Sequence, residues 1–316
     1  MTERVQMNRR TPAARRGKRG FAFVVVLFLL VMIGTAATAF SMRTSGAYRL
    51  SRSRAANWQM YYAARGAIEQ AKATLWRQFV SAKSAGKMTA APAPETLQIG
   101  EVDVTITYVD ETGKFPVNGF TSPDEGKRKE LEAVLTRIFE IVAVPNAATL
   151  AETVRDYIDK DTDGDRESDA LNGEAYEISQ LLSAEGFKPE FLYNSFRPER
   201  PAAFQLLSTW HTSPINVNSA PPEVLKAFSP RLTDADLRAI IAARSELPFK
   251  STEDVVARAK VSGEGLAQLG KWAGFSTDTL TLMIEARIGG FVKRMEAVVW
   301  LESTSAHTLY VREGWQ

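Results

Sequence analysis

The sequence predicts an α+β fold in which a long N-terminal helix packs on a small antiparallel sheet, and the sheet carries a large all-helical insertion. Three observations support this prediction. Residues 21–40 contain no charged side chain, alternation of apolar and polar residues occurs in two stretches far apart in the chain, and the residues between those stretches show helical signals. Strands at both ends of a helical region indicate a sheet that the inserted block interrupts.

The first element is the apolar run at 21–40. Twenty uncharged residues are enough for a helix to cross a hydrocarbon core of about 30 Å. Basic residues dominate the segment before it, with one acidic residue, Glu3. The basic residues are Arg4, Arg9, Arg10, Arg15, Arg16, Lys18 and Arg19. The positive-inside rule therefore predicts a single-pass anchor with a cytoplasmic N-terminus and a body on the far side of the membrane.

Three interpretations of this anchor compete. A conventional signal peptide would be cut after the small residues at 37–39, although the apolar run is long for that class. A plain uncleaved anchor is the second. The third rests on the basic flank that ends in Gly20 directly before Phe21, which resembles the class III signal of type IV prepilins and pseudopilins. That resemblance implies cleavage between Gly20 and Phe21 by a prepilin peptidase, followed by methylation of the new N-terminus.

The fifth residue after this junction is Val25, at a position where most pilins carry Glu. A lone carboxylate in lipid is costly, and in those families it is thought to meet the N-terminal amine of a neighbouring subunit. A subunit with Val25 is therefore not expected to add beneath an existing one. Loss of this Glu is typical of one minor pseudopilin, the K-type.

The helix is predicted to continue past the membrane, because apolar residues recur every three to four positions up to residue 80. The predicted face consists of Trp58, Tyr61, Tyr62, Ala64, Ala67, Ile68, Ala71, Leu75, Trp76 and Phe79. It would dock the helix onto the sheet. Residues 81–95 form a linker, in which Pro92 and Pro94 favour extended backbone.

The sheet and the block follow from the remaining periodicities. Strands are predicted at 101–109, 279–287, 292–301 and 309–312, with a short additional strand at 114–118. Capping boxes begin helices at 233–236 and 251–254. The predicted organisation is a cleaved leader 1–20, a helix 21–80, a linker 81–95, a sheet domain made of 96–126 and 277–316, and an inserted helical domain 127–276.

Composition excludes several kinds of chemistry. The 316 residues contain no Cys and two His, and their formal net charge is +2. Disulfides and thiolate metal sites are therefore excluded, and a near-neutral charge argues against a general nucleic-acid binder. No nucleophile and base pair or cofactor loop stands out, so the sequence does not predict an enzyme.

Alternating carboxylates between 159 and 174 predict a structural calcium site. The candidate ligands are Asp159, Asp161, Asp163, Asp165, Asp169 and Glu174. Hard oxygens around a turn at Gly164 follow the logic of a calcium loop, but the twelfth position, Ala170, lacks the bidentate Glu of an EF-hand. A solvated acidic loop and a catalytic carboxylate pair are the alternatives.

The motif INVNSAPPEVL at 215–225, together with Arg244 and Phe249, resembles a helix-hairpin-helix module. DNA-binding versions use a Gly-containing hairpin that exposes backbone N–H groups to phosphate. The corresponding link, 228–232, contains no glycine. The module is therefore interpreted as a packing unit or a protein-contact surface, and no nucleic-acid partner is expected.

Several motifs together resemble the K-type minor pseudopilin family of the bacterial type II secretion system. They are the junction at Gly20 with Val25, the stretches 59–70, 110–114 and 154–161, and the motif at 215–225. The resemblance implies a pseudopilin fold with bound calcium, anchored in the inner membrane with a periplasmic body. Two places depart from the family pattern: Asn118 is the sole equivalent of an Asn-Leu-Asn motif, and the aromatic pair after the acidic loop is reduced to Tyr176.

The resemblance also implies a function in assembly, without enzymatic activity. The protein would sit with I- and J-type minor pseudopilins at the tip of a short periplasmic pseudopilus, where it primes assembly and supports protein export. The alternatives are a tip subunit of a type IV pilus and a membrane-anchored DNA receptor that uses the helix-hairpin-helix block.

Overall fold

The computed structural model describes residues 18–85, 88–160, 170–212 and 214–314. The chain divides into two compact units, Met1–Trp58 and Gln59–Gln316. The first unit contains the apolar run, and residues 21–50 are exposed throughout. Within the described residues, one helical stretch, Phe21–Ser81, is long and apolar enough to cross a membrane.

Nine strands and eight α-helices form the described chain. The helices are α1 (Lys18–Ala85), α2 (Glu125–Ile141), α3 (Ala147–Ile158), α4 (Pro189–Tyr193), α5 (Pro222–Phe228), α6 (Asp234–Glu246), α7 (Thr252–Ala259) and α8 (Glu264–Gly270). The strands are β1 (Glu95–Ile99), β2 (Val102–Asp110), β3 (Phe115–Pro116), β4 (Leu207–Ser208), β5 (Ile215–Asn216), β6 (Ala273–Gly274), β7 (Thr279–Ile288), β8 (Phe291–Leu301) and β9 (Ala306–Glu313).

The main sheet has five antiparallel strands in the order β1-β2-β7-β8-β9. The predicted strands near 101–109, 279–287, 292–301 and 309–312 are confirmed. Strand β1 was not predicted, since its residues fall partly in the predicted linker. Because β2 pairs with β7, the whole helical block is inserted between two neighbouring strands of one sheet.

The face that α1 presents to the sheet consists mainly of small residues. Its most buried positions are Met60, Ala63, Ala64, Ala67, Ile68, Ala71 and Leu75. The aromatic part of the predicted face is wrong at two positions, since Trp58 is 58% and Tyr62 is 66% exposed. Alanines allow the helix backbone to lie close to the pleated sheet. At that short distance a row of aromatic rings would not fit between helix and sheet.

The inserted block is not entirely helical, which corrects that part of the prediction. Two short parallel pairs, β3 with β4 and β5 with β6, join segments of the block. The predicted strand at 114–118 therefore exists only as β3, outside the main sheet. A capping box at 233–236 is confirmed, because Thr233 Oγ1 accepts from the Asp236 N–H at 3.1 Å and Asp236 Oδ2 accepts from the Thr233 N–H at 2.8 Å.

Two separate hydrophobic clusters stabilise the second unit. One lies between α1 and the sheet. The other fills the block, and it includes Phe115, Val117 and Phe120, which precede α2. The change from one cluster to the other therefore occurs near residue 113, earlier in the chain than the predicted boundary at 126/127.

Candidate functional site

The predicted processing junction lies in the first turns of α1, which begins at Lys18. The side chain of Phe21 is 74% exposed, and that of Val25 is 41% exposed. Within the first unit, both residues therefore present apolar surface that the described chain leaves uncovered. This is the exposure expected of a helix whose surroundings are lipid or another helix.

The acidic loop is described only at its two ends. Asp161, Asp163, Asp165 and Asp169 lie outside the described residues, so the structure does not test them as ligands. At the ends, the backbone N–H groups of Leu171 and Asn172 both donate to the Tyr157 carbonyl oxygen, at 2.8 and 3.2 Å. These two hydrogen bonds hold the residues that follow the loop against the end of α3.

Two buried carboxylates stand where this loop begins. Asp159 is 3% exposed, with its Oδ2 3.8 Å from Arg128 Nε and 4.0 Å from Arg155 Nε. Asp156, which was not predicted, is 2% exposed; its Oδ1 accepts from Arg155 at 2.7 Å, whereas its Oδ2 is buried with no hydrogen-bond partner in the described chain. Glu174, by contrast, is exposed.

The unpaired Asp156 oxygen is the type of donor that a hard cation binds. A buried carboxylate oxygen without a hydrogen bond is costly unless a positive group completes it, and calcium is bound by carboxylate and carbonyl oxygens. Among the described residues, no cluster of three metal-binding side chains is complete. A calcium site here would therefore depend on the carboxylates of 161–169 in addition to those at the end of α3.

Asn118 fixes the return of the acidic loop to the block. Its Nδ2 donates to the carbonyls of Ala175, at 2.9 Å, and Thr209, at 2.6 Å, while its Oδ1 accepts from the Ala175 N–H at 2.9 Å. The Asn118 amide thus bonds to the backbone of Ala175 and of Thr209, as a neighbouring strand would. The residue that the resemblance identified is thus a structural clamp between the loop exit and β4.

The first asparagine of the motif at 215–225 belongs to a buried polar network at the junction of sheet and block. Asn216 Nδ2 donates to Asp110 Oδ2 at 2.8 Å, to Thr277 Oγ1 at 2.9 Å and to the Thr89 carbonyl at 3.0 Å. Asp110 Oδ1 in turn accepts from the Thr112 N–H at 2.9 Å. The end of β2, the linker after α1 and the segment before β7 therefore meet at one amide.

The second asparagine of the motif binds the module to itself. Asn218 Oδ1 accepts from the Phe249 N–H at 2.6 Å, and its Nδ2 donates to the Phe249 carbonyl at 2.9 Å. Arg244 Nη1 donates to the carbonyls of Val217 and Ala220, at 2.7 and 2.8 Å. Both signature positions thus bond to backbone within the module, as expected of a packing unit.

The hairpin link of this module offers no phosphate cradle. The Ser229 N–H donates to Leu225, the Leu232 N–H donates to Ser229, and Pro230 has no N–H. Ser229 is fully buried, and its Oγ donates to the Gly265 carbonyl at 2.7 Å. Because these donors are used internally, the geometry does not support the DNA-receptor alternative.

A small cleft of about 140 Å³ lies beside this junction, where β2, β7, β8 and β9 meet the block. Glu111 lies in its wall, and its Oε1 accepts from Lys114 Nζ and Thr281 Oγ1, both at 2.7 Å. Burial raises the pKa of Glu111, but the charge and hydrogen bond of Lys114, with hydrogen bonds from Thr281 and Ser208, bring that pKa below its ordinary value. Glu111 is therefore a buried anion that stabilises the junction.

Burial raises the pKa of Glu111 but lowers that of His211. Its Nε2 lies 3.1 Å from the Lys114 carbonyl, and desolvation lowers its pKa despite the nearby carboxylates of Glu111 and Asp110. The imidazole is therefore neutral at neutral pH. No base and nucleophile pair forms with it among the described residues.

The block stands at one particular end of the sheet. The Thr277 N–H donates to the Met88 carbonyl at 2.8 Å, and Asn216 reaches Thr89, so the junction lies next to the residues that follow α1. At the opposite end of the sheet, β1 turns into β2 at Gly100. The block therefore extends from the end of the sheet at which α1 finishes.

Comparisons with known proteins agree with this architecture. A family model described as type II secretion system (T2SS), protein K matches residues 215–276. These residues contain both asparagines and Arg244 of the junction module. Over this segment the chain is similar to type II secretion system protein K.

A solved structure shows the same fold. It is a chain of the crystal structure of the GspK-GspI-GspJ complex from the enterotoxigenic Escherichia coli type 2 secretion system. The TM-score is 0.64 at 16% identity, and the match covers 84% of this chain and 99% of that chain. No relative among curated protein sequences matched.

Proposed function

We propose that this chain is a K-type minor pseudopilin that occupies the tip of a periplasmic pseudopilus, where it primes assembly and supports protein export. The observation that carries the proposal is the position of the block, which extends from the end of the sheet beside the C-terminus of α1. A bulky block at that end obstructs the addition of a subunit beyond it. A subunit that can only be at an end is suited to begin a filament rather than to lengthen one.

The partners follow from the same geometry. I- and J-type minor pseudopilins would pack their own N-terminal helices beside α1, and the similar fold comes from a complex with such subunits. The test is co-purification of the fragment from Arg43 onward with tagged I- and J-type subunits of the same cell. We expect a stable ternary complex. Minor pilins of a type IV system from the same cell serve as the matched control, and a preference for them would favour the type IV pilus alternative.

Processing at the Gly20-Phe21 junction is the second part of the proposal. A prepilin peptidase would remove residues 1–20 and leave a methylated Phe21, with the N-terminal side in the cytoplasm and the body in the periplasm. The intact mass of the protein from membranes tests this directly. A chain that begins at Phe40 would contradict it and favour a conventional signal peptide.

Val25 gives a second test of the tip position. A tip subunit has no subunit above it to receive the carboxylate that other pilins carry, so Val25→Glu is not needed for assembly. We expect a strain with wild-type Val25 to export normally and Val25→Glu to give no gain in filament yield. An increase in yield with Glu would contradict the tip position.

We also propose that the acidic loop binds calcium in a structural role. Asp159 and Asp156 would contribute from the end of α3, with Asp161, Asp163, Asp165, Asp169 and Glu174 as further candidates. Bound calcium would neutralise the loop and hold it against the block. We expect calcium to raise the melting temperature of the parent but not of Asp161→Ala/Asp163→Ala. Equal melting of both proteins with and without calcium would refute the site.

A further inference from the structure

The first unit carries a ring of arginines directly after the apolar run. Arg43, Arg49, Arg52 and Arg54 are all exposed, and no acidic residue occurs between residue 21 and Glu69. No ion pair involving these four arginines is present in the part of the chain that the structure describes. We define these four residues as the arginine collar.

The collar surrounds the helix rather than lining one side. At about 100° per residue, Arg49, Arg52 and Arg54 lie roughly 240°, 180° and 20° around the axis from Arg43. A single partner helix covers one side of α1, so it could contact only part of this ring. A continuous layer of negative charge around the helix would contact all of it.

Distance from the apolar run relates the collar to a membrane surface. With a rise of about 1.5 Å per residue, the Cα atoms of the four arginines lie roughly 5, 14, 18 and 21 Å beyond Phe40. The polar headgroup layer is several ångströms thick on each side of the hydrocarbon. Arg43 lies within that layer, Arg49 reaches it with its side chain, Arg52 lies about one Debye length beyond it, and Arg54 lies farther out.

The collar does not help to set the orientation of α1 in the membrane. Basic residues on the far side of a membrane helix weaken the bias that the basic residues before Gly20 create. Orientation of the helix therefore does not account for the collar. Tyr48, which is 68% exposed, places an amphipathic ring between Arg43 and Arg49, as is typical of membrane interfaces.

We infer that the arginine collar binds the anionic phospholipid headgroups of the far leaflet. The inference rests on the proposed single-pass topology. It assigns the exposed segment 43–54 to the lipid surface while the subunit is still in the membrane. Each arginine near an anionic surface strengthens the attraction by about fivefold, with a smaller effect as the distance increases.

The experiment uses the full chain reconstituted in phosphatidylcholine vesicles that contain a trace of spin-labelled phosphatidylglycerol or phosphatidylcholine. The ratio of motionally restricted label for the two lipids measures headgroup preference. We expect phosphatidylglycerol to be preferred several-fold, and R43Q/R49Q/R52Q/R54Q to lose most of that preference. Both proteins carry R4Q/R9Q/R10Q/R15Q/R16Q/K18Q/R19Q, so that the basic residues of the leader do not contribute.

A matched control removes four exposed cations of the block, in R238Q/K250Q/K260Q/K271Q. This variant has the same net charge as the collar variant, and we expect it to keep the preference. Among single variants, R43Q should lose most and R54Q least, because the effect follows distance from the hydrocarbon. Far-UV circular dichroism of each variant verifies that the helix is intact.

An unchanged lipid ratio in the folded collar variant would overturn the inference. If that variant also fails to co-purify with the I- and J-type subunits, the collar is assigned to a partner helix instead. Failure of the proposed topology looks different, since the parent itself would then be extracted from vesicles by alkaline carbonate.

Discussion

The two hydrophobic clusters of the second unit are stabilised in different ways. The cluster between α1 and the sheet combines three segments far apart in sequence, and its backbone is paired along five strands. The block cluster is almost continuous in sequence and combines helices of 5–17 residues with two-residue strands. Five fully buried phenylalanines, Phe115, Phe120, Phe139, Phe228 and Phe249, all belong to the block.

The difference shows which contacts fix the arrangement of each region. In the sheet, backbone ladders set the register and small alanines set the distance to α1. In the block, side chains take over this function. Asn118, Asn218 and Arg244 donate hydrogen bonds to backbone carbonyls that are not paired in a long strand. The block should therefore be more sensitive to single side-chain changes than the sheet.

Phe228→Ala should have the largest effect. The ring centroid of Phe228 lies 6.0 Å from that of Phe115 and 5.5 Å from that of Trp272, so its loss leaves a cavity in the block. We expect the free energy of unfolding to fall by about 4 kcal/mol. Urea unfolding of the full chain in detergent measures this loss, and hydrogen exchange of separate peptides shows whether the sheet is weakened too.

The control for this substitution is Phe196→Ala, since Phe196 is 40% exposed. It should cost about 1 kcal/mol or less. Faster exchange in the block alone would support two separate regions. Equal acceleration in β2, β7 and β8 would show instead that the two clusters unfold as one cooperative unit.

Asn216→Ala tests the junction between the regions. The substitution removes donors to Asp110, Thr277 and Thr89, and leaves Asp110 buried with fewer hydrogen bonds. We expect a loss of about 3 kcal/mol, measured by the same urea unfolding. Asn194→Ala, at an exposed position, is the control. Similar midpoints for the two variants would mean that the network adds no stability.

Gly113→Ala tests how closely sheet and block approach. A Cβ at Gly113 would lie 2.8 Å from the backbone nitrogen of Ala220 and 2.5 Å from Ser219 Oγ. Because the backbone must shift, we expect a loss of about 2 kcal/mol by thermal or urea unfolding. The control is Gly290→Ala, where nothing lies within 4 Å of the added atom. Tolerance of Ala at 113 would show that the junction is loosely packed.

Glu111→Gln should have the smallest effect and one that depends on pH. Since the folded-state pKa of Glu111 is lowered, its ionised form stabilises the protein above the ordinary Glu value of about 4.3. That contribution is lost as the pH falls through the lower folded-state pKa. As the pH falls from 7 to 3, the melting temperature of Glu111→Gln should therefore decrease less than that of the parent.

The comparison for this pH effect is Glu285→Gln on the exposed face of the sheet. Hydrogen bonds from Arg287 and Arg294 lower the pKa of Glu285, but solvent screens these contacts. We expect its substitution to leave the acidic slope nearly unchanged. A larger change at Glu285 than at Glu111 would place the acid sensitivity in the sheet rather than at the junction.

Much of this organisation was predictable from the chain, because the signals are local. Alternation predicted β2, β7, β8 and β9, and an apolar run without charge predicted the anchor helix. Capping chemistry correctly placed the start of α6 at Thr233. The motif at 215–225 also identified the junction module, although its hydrogen bonds to Thr89 and Asp110 link segments more than 100 residues apart.

By itself, the sequence determined the helical anchor, the strand content, the presence of the inserted block and the absence of cysteine chemistry. Only the tertiary structure decided that alanines rather than aromatic rings face the sheet, that β1 exists, and that the clusters change near residue 113. It also showed the buried Asp156 beside the acidic loop. These features depend on which distant segments become neighbours, and periodicity within one segment carries no information about its partner.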